Sequence, residues 1–451
     1  MYKILGLWIL LCVTPCLAVD GWKAGVGRQC ITPPEPMPMA GYASRGAAHA
    51  TGKLNDLWAK SLMLEDAQGK RCLLVTLDVC GIDSQLAGRV CEQLQQACSL
   101  QRSQIMLATS HTHSGPVVAG NLRPMHYMLF GEADRKLVDD YASFLVKNIV
   151  TSVKQAEKDL QPSQLSFGSG SVSFAVNRRN NAEKDVPELR SANKLVGPSD
   201  HDVPILLIKR GGKPCSVVFG YACHCTTLSG MEWSGDYAGY AQVELESQLP
   251  DCQAMFWAGC GGDQNPIPRR DVELAEQYGQ RLAAAVRKVM ESDLPSISAA
   301  LQTEFKLVPV PFGELPTREQ LENDRRSENQ FVSARAQAWL QRLDAGETIP
   351  KTYDYPIASW RLGDSVDWVA LGGEVVVDYA LSIKALPVAK RATWVTAYAN
   401  DVMAYIPSRR VLAEGGYEGG GAMVYYGQPT AWAPEIEQLI MGEVERQIAQ
   451  D

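Results

Sequence analysis

Ile105-Met106-Leu107-Ala108-Thr109-Ser110-His111-Thr112-His113-Ser114-Gly115-Pro116 joins an unbroken apolar run to a turn that carries two histidines. A short apolar run bounded by turn signals reads as a buried strand. Side chains on an extended backbone repeat every second residue, so a continuation of that strand would place His111 and His113 on one face. The chain has six histidines in 451 residues, and two of them fall in this one turn. Two imidazoles at the mouth of a sheet suit a metal centre or an acid–base pair. A turn with one packed and one solvated histidine would look the same, so the surrounding sequence has to decide.

Outward from this stretch, apolar strands alternate with helical periods. Leu73 to Leu77 reads as a strand, Asp83 to Ala97 as a helix, and Glu132 to Leu160 as a long amphipathic helix. Val203 to Ile208 and Ser216 to Phe219 read as a strand pair around the Gly211-Gly212 turn, Ala254 to Trp257 as a strand, and Asp271 to Met290 as a helix. The alternation predicts an α/β fold, a mixed β-sheet core flanked by helices with the active site at strand ends. The polar, helix-favouring stretch from Thr317 to Leu343, between Pro316 and Pro350, predicts a helical insertion at about 317–345 in a single domain spanning 19–451.

The composition, 46% hydrophobic and 21% charged, is that of a globular protein with ample core material. A net charge of −8 and the lack of any Lys/Arg-rich run argue against a nucleic-acid partner. Lys3, the apolar run Ile4 to Leu17 and the small residues at Cys16-Leu17-Ala18 predict an export signal over 1–18, and so a secreted or periplasmic protein. Lipoprotein anchoring at Cys16 is the alternative, with Pro15 a poor fit to it. No later segment is apolar enough for a transmembrane helix. Outside the signal the chain has ten cysteines, an even number that permits disulfides in an exported protein. Cys91 and Cys98 are two turns apart on one helix, too far to bridge. In Cys223-His224-Cys225 the alternation turns both thiols away from His224, which gives them a structural role.

Further constellations sit at strand ends and turns: Asn177-Arg178, Ser234-Gly235-Asp236-Tyr237-Ala238-Gly239, Gly261-Gly262-Asp263-Gln264-Asn265-Pro266, Gly372-Gly373-Glu374, and Tyr405 followed by Gly416-Tyr417-Glu418-Gly419. The glycine-rich run before Asn265 is read as letting backbone approach a ligand closely. Taken singly these are ordinary turns. Their order, together with Ser110 to Pro116 and the early Met39-Ala40-Gly41-Tyr42, resembles the catalytic domain of the neutral/alkaline non-lysosomal ceramidases, in islands from about Ala24 to Gln428.

The resemblance implies a zinc ion held by His111, His224, Glu374 and Tyr405, with a water acidified to a pKa of about 7. It assigns proton transfer to His113 and oxyanion stabilisation to Arg178 and Tyr417. The implied reaction is hydrolysis of the amide of a ceramide-like lipid to a fatty acid and a sphingoid base, by an enzyme making peripheral contact with a membrane to reach lipid. Two departures bear on the substrate. Asn265 stands where that family carries a substrate-contacting serine, and the chain, ending at Asp451, is expected to lack the C-terminal β-sandwich domain of full-length relatives. A zinc hydrolase of another N-acyl compound or ester, or a non-catalytic binding protein on the same fold, are the alternatives. A serine hydrolase is disfavoured because no Gly-x-Ser-x-Gly element is present.

Overall fold

The structure, a computed structural model, describes residues 21–449. The expected export signal and the alternative anchor Cys16 lie outside the described residues. Eight strands form one curled sheet in the order Gln253–Ala258, Lys213–Tyr221, Asp202–Arg210, Gln161–Ser171, Trp22–Cys30, Trp58–Glu65, Arg71–Leu77, Ile105–Thr109. Its interior pairings are antiparallel and its two outermost pairings are parallel. The mixed sheet read from the sequence is therefore present. Beside it lies a second sheet that the sequence reading did not resolve, ordered Leu301–Pro311, Thr352–Leu362, Val366–Leu371, Ala392–Thr396.

The two sheets face each other across an apolar layer. Alternate residues of the smaller sheet, Ala358, Trp360, Trp368 and Ala370, meet Leu206, Val218, Met255 and Trp257 of the larger. Trp368 and Trp394 stack at 4.1 Å between centroids, an arrangement that adds to their area burial. The intervening residues of the smaller sheet, Ile357, Val369 and Leu371, share a core with Ile436, Ile440 and Val444 of the Ile436–Ile448 helix. The outer face of the larger sheet is covered by Glu132–Lys158 on one half and by the paired helices Asp236–Gln248 and Val272–Met290 on the other. The layers run helix, sheet, sheet, helix, which is why so many strands are buried on both faces and read as continuous apolar runs.

Helix boundaries follow their caps. Asp83 accepts from Leu86 N, Asp271 from Glu273 N and Thr317 from Gln320 N, each satisfying an otherwise unpaired first-turn donor. The stretch expected to be helical at about 317–345 holds two helices, Arg318–Asp324 and Gln330–Asp344. No helix among the described residues is long and apolar enough to cross a membrane. All ten described cysteines are free and nine are buried, so the pairing that their even number permitted does not occur among them.

The close seat of the Glu132–Lys158 helix depends on Gly25, where a Cβ would lie 1.9 Å from Ala156 O. Gly25→Val should lower stability by about 3 kcal/mol through overpacking. Gly88, in the Ser84–Cys98 helix, has nothing within 4 Å of an added Cβ. Gly88→Ala should therefore raise stability by about 0.4–1 kcal/mol. Thermal unfolding of the two variants checks both signs, and a destabilised Gly88→Ala would contradict this packing.

Candidate metal centre

Three pairs of parallel strands aim their carboxyl ends at one place. Arg71–Leu77 runs beside Ile105–Thr109, Lys213–Tyr221 beside Gln253–Ala258, and Val366–Leu371 beside Ala392–Thr396. The first two pairs are opposite edges of the eight-stranded sheet, which curls until Thr112 bridges Cys225. The third pair closes the gap, with Thr109 N donating to Tyr398 O and Ala397 N to Ala258 O. Carboxyl ends of parallel strands open into crevices, and here three such ends share one. His111, His224 and Glu374 each follow the end of one of these pairs, and Glu374 then pairs with Tyr405 in a short parallel ladder.

The glycine turns serve this convergence differently from the sequence reading. A Cβ on Gly262 would lie 2.7 Å from Glu374 O, so the run before Asn265 lets two backbone segments touch each other. The geometry of the first motif also differs. The strand stops at Thr109, and His111 has φ +59°, a left-handed conformation uncommon outside glycine. The two imidazoles are therefore not neighbours on an extended face. They still meet, with ring centroids 4.8 Å apart and Nε2 atoms 3.1 Å apart, because the turn folds them together.

Backbone carbonyls fix the tautomers. His111 Nδ1 donates to Cys80 O at 2.6 Å, and His224 Nδ1 donates to Gly261 O at 2.6 Å. That leaves each Nε2 facing the cluster, the usual orientation of a metal-binding imidazole whose other nitrogen is held. Glu374 Oε2 lies 3.1 Å from His111 Nε2 and 3.0 Å from His224 Nε2, and the Tyr405 hydroxyl lies 3.2 Å from His224 Nε2. Donors bound at about 2.0–2.1 Å around a tetrahedral ion are separated by about 3.3 Å, so these three separations are of the size a small tetrahedral ion requires. A second grouping, Cys80 with His111 and His113, also falls within reach of one ion. It fits less well, because His111 Nδ1, the nitrogen 3.8 Å from Cys80 Sγ, is already committed to Cys80 O.

Burial and neighbouring charges set the protonation of these groups together. It pushes the Glu374 carboxyl up, but His111 and His224 outweigh it and hold the carboxyl well below its ordinary range. Burial lowers His224 to about 4, helped by Arg178, and lowers His113 well below its usual value, helped by His111 and His224. It also raises Tyr405, reinforced by Glu374 and opposed by Arg178. Burial raises the thiols of Cys223 and Cys225 too, which agrees with packed, unreactive cysteines.

Arg178 reaches into the site. Its Nη2 donates to the Tyr405 hydroxyl at 3.1 Å, its Nη1 to Asn265 Oδ1 at 3.2 Å, and its Nε to Glu418 Oε1 at 2.8 Å. Asn265 is buried, and its amide oxygen serves Arg178 rather than standing free. Tyr417 is 45% exposed at the rim, its ring 5.3 Å from that of Tyr405. His113 is held by Arg45, which donates to its carbonyl, and by Tyr42 at 4.9 Å between centroids, while its Nδ1 is buried with no partner.

All eight candidate residues thus line one region. Three neighbours escaped the sequence reading. Tyr398 stacks on His111 at 4.5 Å with its hydroxyl buried and unpartnered, Tyr426 donates to Glu374 Oε1, and Glu418 pairs with both Arg178 and Arg179. Glu418 belongs to the Gly416-Tyr417-Glu418-Gly419 motif, and the consecutive Arg178 and Arg179 are the signal that calls for such an acidic partner; nothing local marks the two tyrosines.

Residues 22–338 match the family profile described as neutral/alkaline non-lysosomal ceramidase, N-terminal. Neutral ceramidase A of Dictyostelium discoideum is 26% identical over 267 residues, covering 55% of this chain and 36% of that protein. Neutral ceramidase of Pseudomonas aeruginosa is 25% identical over 257 residues, covering 53% and 37%. The matched region thus spans about a third of the length of these curated relatives. A ceramidase structure described as complexed with C2 superposes with a TM-score of 0.73 at 20% identity, covering 95% of this chain and 75% of that one. The crystal structure of the Pseudomonas aeruginosa neutral ceramidase gives 0.72 at 20% identity, covering 95% and 74%.

Proposed function

The chain belongs to the neutral/alkaline non-lysosomal ceramidase family, and from that premise we propose that it is an exported, zinc-dependent amidohydrolase acting on a ceramide-like N-acyl lipid. The observation that carries the proposal is the meeting of His111, His224, Glu374 and Tyr405 at the carboxyl ends of three strand pairs. These four residues would hold the ion. Zinc bound there would supply Lewis acidity and would acidify a water to a pKa of about 7.

The protein's own groups account for the rest. His113 turns Nε2 to the cluster and leaves Nδ1 unpartnered, so it can take the water's proton and pass it to the leaving amine. Arg178 keeps spare N–H groups on both terminal nitrogens beyond those given to Tyr405 and Asn265. With the Tyr417 hydroxyl at the rim it would donate to the oxyanion that forms at the amide carbonyl. Asn265 contributes by anchoring Arg178, which gives it a positioning part in substrate recognition.

Tyr417→Phe should lower kcat by about 10²-fold with zinc content kept and KM little changed. An unaltered kcat would remove Tyr417 from the mechanism. The substrate is tested by assaying purified protein of known metal content on N-acyl sphingoid bases, N-acyl amino acids and N-acyl amino sugars. Preference for the sphingoid amides supports the reading, and preference for either other class replaces it. Asn265→Ser, assayed on the same panel, reports whether the amide at this position sets that preference.

A further inference from the structure

Glu374 is gripped from two sides. Its Oε2 faces both histidines at 3.0–3.1 Å, while its Oε1 accepts a hydrogen bond from the Tyr426 hydroxyl. With Oε1 accepting from a phenol, Oε2 is the oxygen turned to the histidines, and the hydrogen bond restrains the carboxylate plane. Tyr426 sits on the one-turn helix Met423–Tyr426, which is itself held from outside. Trp339 Nε1 donates to Gly427 O at 3.0 Å, and the Phe331 ring meets that of Tyr425 edge-on at 5.1 Å. Both aromatic residues belong to the Gln330–Asp344 helix. On the other flank Gln428 Nε2 donates to Met403 O at 2.9 Å, tying the turn to the segment that leads to Tyr405.

We propose that Tyr426 is a positioning residue that presents Glu374 as a single-oxygen ligand, and that the Gln330–Asp344 helix serves the site by holding the turn that carries it. This rests on His111, His224 and Glu374 being metal ligands. Hydrogen-bond partners of ligating groups set their orientation and basicity, and their loss typically weakens metal binding by about 10–100-fold. A tyrosine that only filled space would be replaced by phenylalanine without effect. Tyr426→Phe keeps the ring and removes only the donor, so it separates the two roles.

The test uses full-length protein stripped of metal. Zinc affinity is measured by competition with a chromophoric chelator, and cobalt(II) is added as a spectroscopic probe of the ligand field. Tyr426→Phe should bind zinc about 10–100-fold more weakly and shift the cobalt absorption bands, with the unfolding midpoint of the metal-free protein unchanged. Zinc affinity and cobalt bands equal to those of the unaltered protein would overturn the proposal. Failure of the unaltered protein itself to bind zinc would instead overturn the ligand assignment, and this inference with it. Should Tyr426→Phe not fold, Trp339→Phe removes the donor to Gly427 and reads the same turn from outside. A smaller loss of zinc affinity, several-fold, is expected there, and none would overturn the proposal.

Discussion

His224→Ala is expected to leave the protein folded but without stoichiometric zinc, and to lower turnover on the preferred amide by about 10⁴-fold, equivalent to about 5.5 kcal/mol of transition-state stabilisation. The argument is geometric. His224 Nε2 lies 3.0 Å from Glu374 Oε2 and 3.2 Å from the Tyr405 hydroxyl, so it is the donor shared by the carboxylate and phenol sides of the cluster. Its Nδ1 bond to Gly261 O shows that the ring is oriented by the backbone rather than by chance contact. Alanine would leave a gap at the centre of the set, and millimolar zinc should restore only part of the activity. Elemental analysis of the purified variant, with circular dichroism to confirm the fold, decides the matter. Retention of one zinc per chain would refute the assignment.

The second large effect is expected at His113. His113→Ala should keep its zinc and lose about 10²–10⁴-fold in kcat, because a positioned general base contributes on that scale. The contrast with His224 is informative, since His113 also belongs to the alternative grouping with Cys80 and His111. If the ion sat in that grouping, His113→Ala would lose metal, and Cys80→Ala would as well. If the ion lies against Glu374, metal content survives and only the proton path is broken. Unchanged turnover would remove His113 from the chemistry altogether.

The sequence displayed the strand ends better than it displayed the architecture that brings them together. Ile105–Thr109, Gln253–Ala258 and the strand pair around Gly211-Gly212 are short apolar runs between turn residues, and period alone exposes them. Trp22–Cys30 and Leu301–Pro311 carry lysines, glycines or prolines along their length, and no apolar run marks them. Both become strands through long-range pairing, the first with Trp58–Glu65 and the second with Thr352–Leu362. The eight candidate residues were legible because each belongs to a motif with an order along the chain. Tyr426 was not, because its significance comes from a hydroxyl reaching Glu374 across the fold. The φ of His111 was equally hidden: Ser-His-Thr-His looks like a strand continuing, and only the turn of the chain at Ser110 shows that it has ended.

The family profile ends at residue 338, but only two of the four proposed ligands, His111 and His224, lie within it. Glu374 follows the Val366–Leu371 strand of the smaller sheet and Tyr405 follows its Ala392–Thr396 strand. During biosynthesis the larger sheet, with its two histidines, therefore emerges before Glu374 and Tyr405, the other two proposed ligands. It also emerges with the apolar face around Met255 and Trp257 still uncovered. On that order the nascent chain would pass through a stage in which this face is exposed and the proposed ligand set lacks two of its four members. Docking of the smaller sheet and the segments that follow its strands would end both conditions together, so that on the proposed ligand set metal binding would report the closure of one sheet on the other.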